Sequence, residues 1–522
     1  MMNSIYKKLC LLLALTLAAG TNTFAQQEHI DEAAFAKIRN AELTNSHIPQ
    51  IAHNLTDVAG PRLPGSEGFT HAAKWAVAIM KKWGLANAMM EPYGEFGKQW
   101  DLQDFSISMK APYYSPLHAY PEPWCGNTNG TVRGKVILLT SQQFNDTTYI
   151  IRHSADLKGK IILIAAKPLP NLQDFNPPAK RYTQAELDTI DEQHPVLRAD
   201  IENAITRSKV RARIETLLKN SGVLGRISAG TYDNKNGKVL VQSSLGYKLT
   251  DPECIPRVLM AYEDGQRISR LILSGHDVEI SLNIQGKFST ADTKGYNVVA
   301  EIPGTDPKLK AEVVMLGGHL DSWQSSTGAT DNAAGCIVVM EAMRLLDSLG
   351  LKPKRTIRVA LWDGEEQGLY GSYNYVKNHF TNADYSPNAA QKKVSAYFNM
   401  DYGTGKVRGI YTQGNQAIKP VFEQWFIPFH DLDAKTVTTK NTGSTDHISF
   451  DWAGIPGFQF IQDPLDEDNT HHTNLDDYDH LAIEDLKQSA IIIASFVYQA
   501  SIRQDLLPRK PWVKETFLFD GL

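Results

Sequence analysis

Cysteine is scarce, with 4 in 522 residues. So few thiols cannot form the dense disulfide framework of small secreted domains, and the fold must rest on buried apolar cores. Cys10 lies in the N-terminal leader, and the odd remainder, Cys125, Cys254 and Cys336, allows at most one intrachain disulfide. Cys125 with Cys254 is the candidate pair, which the sequence neither favours nor disfavours. Cys336 sits on an apolar helical segment and reads as a core thiol. An excess of one charge is missing too. With 53 Lys and Arg against 58 Asp and Glu, the net charge of -5 gives no electrostatic case for nucleic acid or an anionic membrane surface. Internal repeats and long low-complexity tracts are also lacking, which argues against a solenoid or a fibrous chain.

Long hydrophobic runs are confined to the start. "MMNSIYKKLCLLLALTLAAGTNTFAQQ" has two lysines, an apolar run over residues 9–20 and a small-residue approach to Ala25. That run falls short of the roughly 20 residues a membrane span needs. Residues 1–25 are therefore expected to be a cleaved signal peptide. The mature chain is expected to be exported, periplasmic or extracellular, and to carry no membrane span.

What remains is globular in composition, 42% hydrophobic and 21% charged, and too long for one ordinary domain. Residues 26 to about 114 read as helical, with "HAAKWAVAIMKKWGL" showing apolar residues at helical spacing and ending near Gly84. "AGPRLPGSEG" before it is a loop by its Gly and Pro content. Around residues 116–130 Pro, Tyr, Gly and Asn mark a domain crossing. Short β-rich runs follow up to about residue 290: "GKVILLTS", "GKIILIAAK", "GKVLVQSS", "IPRVLMAY" and "HDVEISLNIQGKF". The charged helical stretch "VLRADIENAITRSKVRARIETLLKN" interrupts them, and no catalytic cluster appears there, so this region reads as structural or substrate-shaping. From "YNVVAEIPG" onward, strands alternate with helices as in an α/β domain with a largely parallel sheet between helices. The expected division is 26–120 and 291–522 for one domain, with a β-rich domain, 121–290, inserted into it.

In the last part, strand candidates end repeatedly in metal-capable residues: His319 after "VVMLGG", Glu365 and Glu366 after "VALWDG", Asp401 after "SAYFNM". Ligand crevices of open α/β sheets form at the carboxyl ends of strands, so these residues should converge. Asp331 in "STGATDNAAG" and His472 in "DEDNTHHTNLDDYDHL" join them. Imidazoles and carboxylates without cysteine suit a hydrolytic zinc site or a harder divalent ion.

"GGHLDS", "DNAAG", "WDGEEQGLYGS", "NMD" and "HHTNLDD", in this order, resemble the motifs of the co-catalytic zinc exopeptidases. That family includes bacterial zinc aminopeptidases, carboxypeptidase Q and glutamate carboxypeptidases. The early "GPRLPGS" and the β-rich insert are most similar to the carboxypeptidase Q branch, in which a protease-associated type domain interrupts the peptidase domain. The resemblance implies two zinc ions, with His319 and Asp401 on one, Glu366 and His472 on the other, and Asp331 bridging them. It implies a cis peptide bond from Asp331 to Asn332, and it makes Asp321 the carboxylate that orients His319. His471 competes with His472, but the match "H-T-x-x-D" ending at Asp476 favours His472. By position in the motif, Glu365 is the general acid/base and Glu366 a ligand.

A zinc pair can share and acidify one water, and a carboxylate beside the metals can carry its proton to the leaving amine. The triplet Thr445, Asp446, His447 resembles a segment lining the family's cleft and is expected near the site. A serine-hydrolase reading of Ser444, Asp446 and His447 fails, because the three are nearly contiguous and lack a nucleophile elbow. The implied activity is hydrolysis of short peptides, as an aminopeptidase or dipeptidase. A carboxypeptidase, or a non-catalytic binding protein on the same scaffold, is the alternative. A homodimer is left open.

Overall fold

The computed structural model describes residues 27–166, 177–192, 198–230 and 235–513. The expected signal peptide lies outside the described residues. Among those described, no helix is long and apolar enough to cross a membrane.

In chain order the strands are β1 (Ala86–Glu95), β2 (Gln99–Ala111), β3 (Ser115–Pro116), β4 (Ala119–Pro121), β5 (Val132–Leu139), β6 (Ile161–Ile164), β7 (Gly225–Ala229) and β8 (Arg257–Met260). Then come β9 (Glu279–Ser289), β10 (Lys294–Ile302), β11 (Val313–His319), β12 (Thr356–Trp362), β13 (Val394–Asn399), β14 (Val407–Tyr411), β15 (Thr436–Thr438) and β16 (Gly457–Gln462). They form two eight-stranded sheets, ordered β1-β10-β12-β11-β13-β16-β14-β15 and β3-β2-β9-β5-β6-β7-β8-β4.

The first sheet is mixed, with a parallel centre made by β12, β11, β13 and β16, antiparallel pairs on either side of it, and a parallel pair of β14 with β15 at one edge. β11 and β13 are almost wholly buried, as strands covered on both faces must be, and their sequences are accordingly near-continuous apolar runs. The two faces separate by alternation. Val314, Leu316, Val359 and Phe398 join the core under helices Glu32–Thr44, Glu67–Trp83, Ala334–Ser348 and Ile483–Ile502, while Met315, Ala360, Trp362 and Tyr397 meet Tyr375, Val376 and Phe450 on the other side. Gly335 permits a close approach at the end of β13, because a Cβ there would sit 2.1 Å from the Met400 carbonyl oxygen.

Helix Glu67–Trp83 has the ends its sequence predicts. The Ser66 side chain accepts from the Phe69 N–H, and Gly84 closes the helix in the left-handed region at φ 99°. The helical reading of residues 26–114 stops there, however. β1 and β2 follow, and both present a largely polar, half-exposed surface that hid their strand character. β2 pairs with β9 in the second sheet, so the chain passes between sheets just before Gln99 and returns between Ser289 and Lys294.

That second sheet has a parallel run β5-β6-β7-β8, with helices Arg198–Asn220 and Tyr262–Leu273 among its connections. "GKVLVQSS" is not a strand of it. Leu240 instead forms an isolated bridge to Thr473, in the loop that follows β16. All three described cysteines are buried free thiols, so the candidate bond between Cys125 and Cys254 is not formed.

Candidate metal centre

Three neighbouring parallel strands deliver the site. β11 ends on His319 itself. β12 ends at Trp362 and turns through Gly364, φ 70°, into Glu365 and Glu366. β13 ends at Asn399, two residues before Asp401. Asp331 sits in the turn Ala329–Ala333 that opens helix Ala334–Ser348, and its bond to Asn332 is cis. His472 comes from the late loop with φ 58°, a left-handed conformation that a β-carbon disfavours.

These side chains converge. His319 Nε2 lies 3.1 Å from Asp331 Oδ1 and 3.5 Å from Asp401 Oδ1. His472 Nε2 lies 3.1 Å from Asp331 Oδ2 and 2.8 Å from Glu366 Oε2. The two oxygens of Asp331 thus face different imidazoles. His471 stacks on His472 at 3.8 Å, but its Nε2 is 3.9 Å from Asp331 and its side chain is 53% exposed.

The electrostatics are those of negative charge packed out of water. Burial pushes Glu365 well above the usual carboxylate range, against the pull of His319. Burial raises Glu366 to about 7, and His472 only partly offsets it. At His319 burial opposes protonation, yet Asp401, Asp321 and Asp331 outweigh it and raise the pKa. The same contest raises His472, through Glu366 and Asp331. At Asp331 burial is outweighed by hydrogen bonds from His319 and His472, and its pKa falls well below the ordinary value.

Such an environment selects for a cation. Among the described residues, two groups could hold a metal ion: His319, Asp331 and Asp401, and Asp331, His471 and His472. Zinc bonds of about 2.0–2.1 Å in a tetrahedron place ligand atoms about 3.3 Å apart, close to the spacings measured here. Glu366 Oε1 is buried and has no hydrogen-bond partner, as a ligand oxygen would. The donor set therefore fits zinc.

A further layer of contacts fixes these groups. The Asp321 carboxylate accepts the Glu365 N–H at 3.2 Å and the Glu366 N–H at 3.3 Å, and stands 3.5 Å from His319 Nδ1. The hydrogen bond that holds the imidazole is to the Asp321 backbone carbonyl, 3.0 Å from His319 Nδ1, so Asp321 steadies the ring through its main chain and the glutamate turn through its carboxylate. Asp476 accepts the N–H groups of Thr330 at 2.5 Å and Asp331 at 3.1 Å. Asn332 donates to the Met400 carbonyl at 2.8 Å, and Gln459 to the Asp401 carbonyl at 2.9 Å. Residues 239–241 reach the loop that carries His472 directly, since the Val241 N–H donates to the His472 carbonyl at 2.7 Å and the Val239 N–H to Asn474 Oδ1 at 2.7 Å.

The 445–447 segment divides. Thr445 accepts from Asn399 at 2.9 Å, in a buried chain that continues through Tyr397 to Trp362. Asp446 is fully buried beside His319 and Asp401, and burial lifts it to about 8. His447 is buried against Gln413 and Thr442, and burial lowers it to about 4, so it is a neutral structural imidazole. Arg62 and Gln459 were not foreseen. The only signal for Arg62 was its place in "AGPRLPGSEG", which reads as a loop.

Residues 297–497 match the sequence model of Peptidase family M28. Carboxypeptidase Q of Bos taurus is 27% identical over 461 residues, covering 87% of this chain and 85% of the relative. Among solved structures, a Peptidase M28 precursor from Shewanella amazonensis superposes with a TM-score of 0.66 at 24% identity, over 91% of this chain and 98% of that one. BSAP, a zinc aminopeptidase from Bacillus subtilis, shares the fold with a TM-score of 0.53 at 20% identity, over 88% and 95%.

Proposed function

Taking as premise that the chain is a metallo-exopeptidase of the co-catalytic zinc family, we propose that it trims short peptides from the amino end as an exported aminopeptidase or dipeptidase. The observation that carries the reading is the pairing of two ligand clusters on one bridging carboxylate, Asp331, with Glu365 beside them. His319 and Asp401 would hold one zinc, Glu366 and His472 the other. When bound, the zinc pair supplies an acidified water and a polarised scissile carbonyl. Glu365 would be the group to take a proton from the attacking water and pass it to the departing amine; for that it must start ionised, a state that bound cations would favour against the burial that raises its pKa. Asp321 keeps His319 and the Glu365 turn aligned.

Attack from the amino end is supported by the acidic side chains around the ligands. Glu467, which burial pushes well above the usual range with Asp331, Asp476 and Asp401 adding to the shift, stands with Asp446 near the metal ligands. Such carboxyls hold their protons until a cation is near; a substrate ammonium beside Glu467 would draw it into its ionised form and pair with it. The carboxypeptidase reading keeps one specific support, the full-length similarity to carboxypeptidase Q. Digestion of a mixed peptide library with mass-spectrometric readout separates the two: loss of N-terminal residues is expected, and loss from the carboxyl end alone would overturn the reading. Export is proposed on the leader, and N-terminal sequencing of the secreted chain should begin near Gln26.

A further inference from the structure

Arg62 is fully buried, yet its hydrogen-bond partners are all backbone carbonyls. Nε donates to the Leu320 carbonyl at 2.6 Å, one guanidinium nitrogen to Leu55 at 2.9 Å and also to Thr327, and the other to Gly328 at 2.8 Å. Its own backbone is locked as well: the Arg62 N–H donates to Ser322 Oγ at 3.0 Å, and the Ser322 N–H returns to the Arg62 carbonyl at 3.1 Å.

Leu55 belongs to the turn Asn54–Val58 just before Arg62, but the other three carbonyls flank the site. Leu320 directly follows His319, and Thr327 and Gly328 lead into the turn that carries Asp331. One planar, rigid fork therefore spans the end of β11 and the start of that turn. Asp476 grips the same turn from its N–H side, so Arg62 supplies the opposing half of the grip. A buried guanidinium is costly unless its donors are satisfied and negative charge lies near; carbonyl dipoles meet the first need, and Asp476, Asp321 and Asp331 the second.

We infer that Arg62 is a positioning residue of the metal centre, setting the separation of His319 and Asp331 by bridging the backbone beside each. The inference rests on the zinc reading above, and it assigns to the early "GPRLPGS" loop a task in metal binding. Lysine keeps the charge but has a single nitrogen on a flexible stem and cannot hold the four carbonyls in one plane.

The test uses the full-length chain with Arg62→Lys and Arg62→Gln, folding being checked by circular dichroism. Zinc affinity by chelator competition and the absorption spectrum of the cobalt-loaded form are the readouts, neither of which depends on turnover. Both variants are expected to lose at least tenfold in affinity for one zinc or both, and to show an altered cobalt spectrum. A folded variant with wild-type affinity and spectrum would overturn the inference. Should neither variant fold, the arginine Nε region of a 15N correlation spectrum of the wild-type chain decides. The Arg62 resonance should move on zinc loading, and a resonance that stays in place refutes the coupling. Wild type that binds no zinc at all would instead sink the zinc reading itself.

Discussion

At the scale of single residues, the adjacent glutamates have separate duties. Glu365→Gln is expected to keep the metals and lose about 10²- to 10⁴-fold in kcat, the usual contribution of a positioned proton carrier. Glu366→Gln should lower zinc content itself, measured by plasma mass spectrometry after dialysis. Equal metal content and equal rates in the two variants would contradict the division. Asp321→Asn keeps the shape but weakens the two backbone hydrogen bonds that hold the glutamate turn. Its expected cost is about 10- to 100-fold in metal affinity or turnover, read by chelator competition and by initial rates.

This is also the scale at which the sequence spoke most clearly. His319, Glu366 and Asp401 stand at or just past the ends of apolar strands, whereas Asp331 and His472 stand in loops and were picked out by motifs that resemble those of the zinc exopeptidases. Arg62 and Gln459 are silent because they act through backbone carbonyls. Such partners leave no complementary residue in the sequence to betray them.

At the scale of elements, helix Glu32–Thr44 packs against helix Ala334–Ser348 through an acidic contact. Glu42 is fully buried near Glu341, and burial together with that second carboxyl raises it to about 8. Its stabilising, proton-bound form is complete below the ordinary carboxylate value. Stability from this site is therefore lost as pH rises from about 4.5 to about 8. Glu341, where Arg344 outweighs burial, acts in the opposite sense, and only below the ordinary range. Glu42→Gln should flatten the fall between pH 5 and pH 8 by on the order of 2 kcal/mol in urea unfolding. An unchanged slope would show that Glu42 stays ionised.

Elements were legible where burial was complete. β11 and β13 read as strands because both faces are covered. β1 and β2 did not, because half-exposed strands with polar outer faces have no apolar run and little clean alternation.

At the scale of the whole molecule, residues 121 and 239–241 stand beside the candidate site. The Val241 and Val239 N–H groups bond to His472 and Asn474, and Gln324, beside Trp323, donates to the Pro121 carbonyl at 2.7 Å. Trp323 lies edge-on to His472 at 6.1 Å, and we expect these segments to restrict access from that side. Turnover is therefore expected to fall with substrate length, with dipeptides to tetrapeptides cleaved far faster than folded or long chains. A length series showing flat kcat/KM would remove this role. The sequence suggested a substrate-shaping role for this region but not these contacts, because each has a backbone group on at least one side and joins segments far apart in the chain.

The bond from Val241 to His472 also orders events in time. The candidate ligand loop, with His472 in a left-handed turn, is tied to an irregular segment far earlier in the chain, and it is expected to reach its place only after that long-range contact has formed. In refolding, tight zinc uptake at that position is therefore expected to lag behind the burial of the tryptophans.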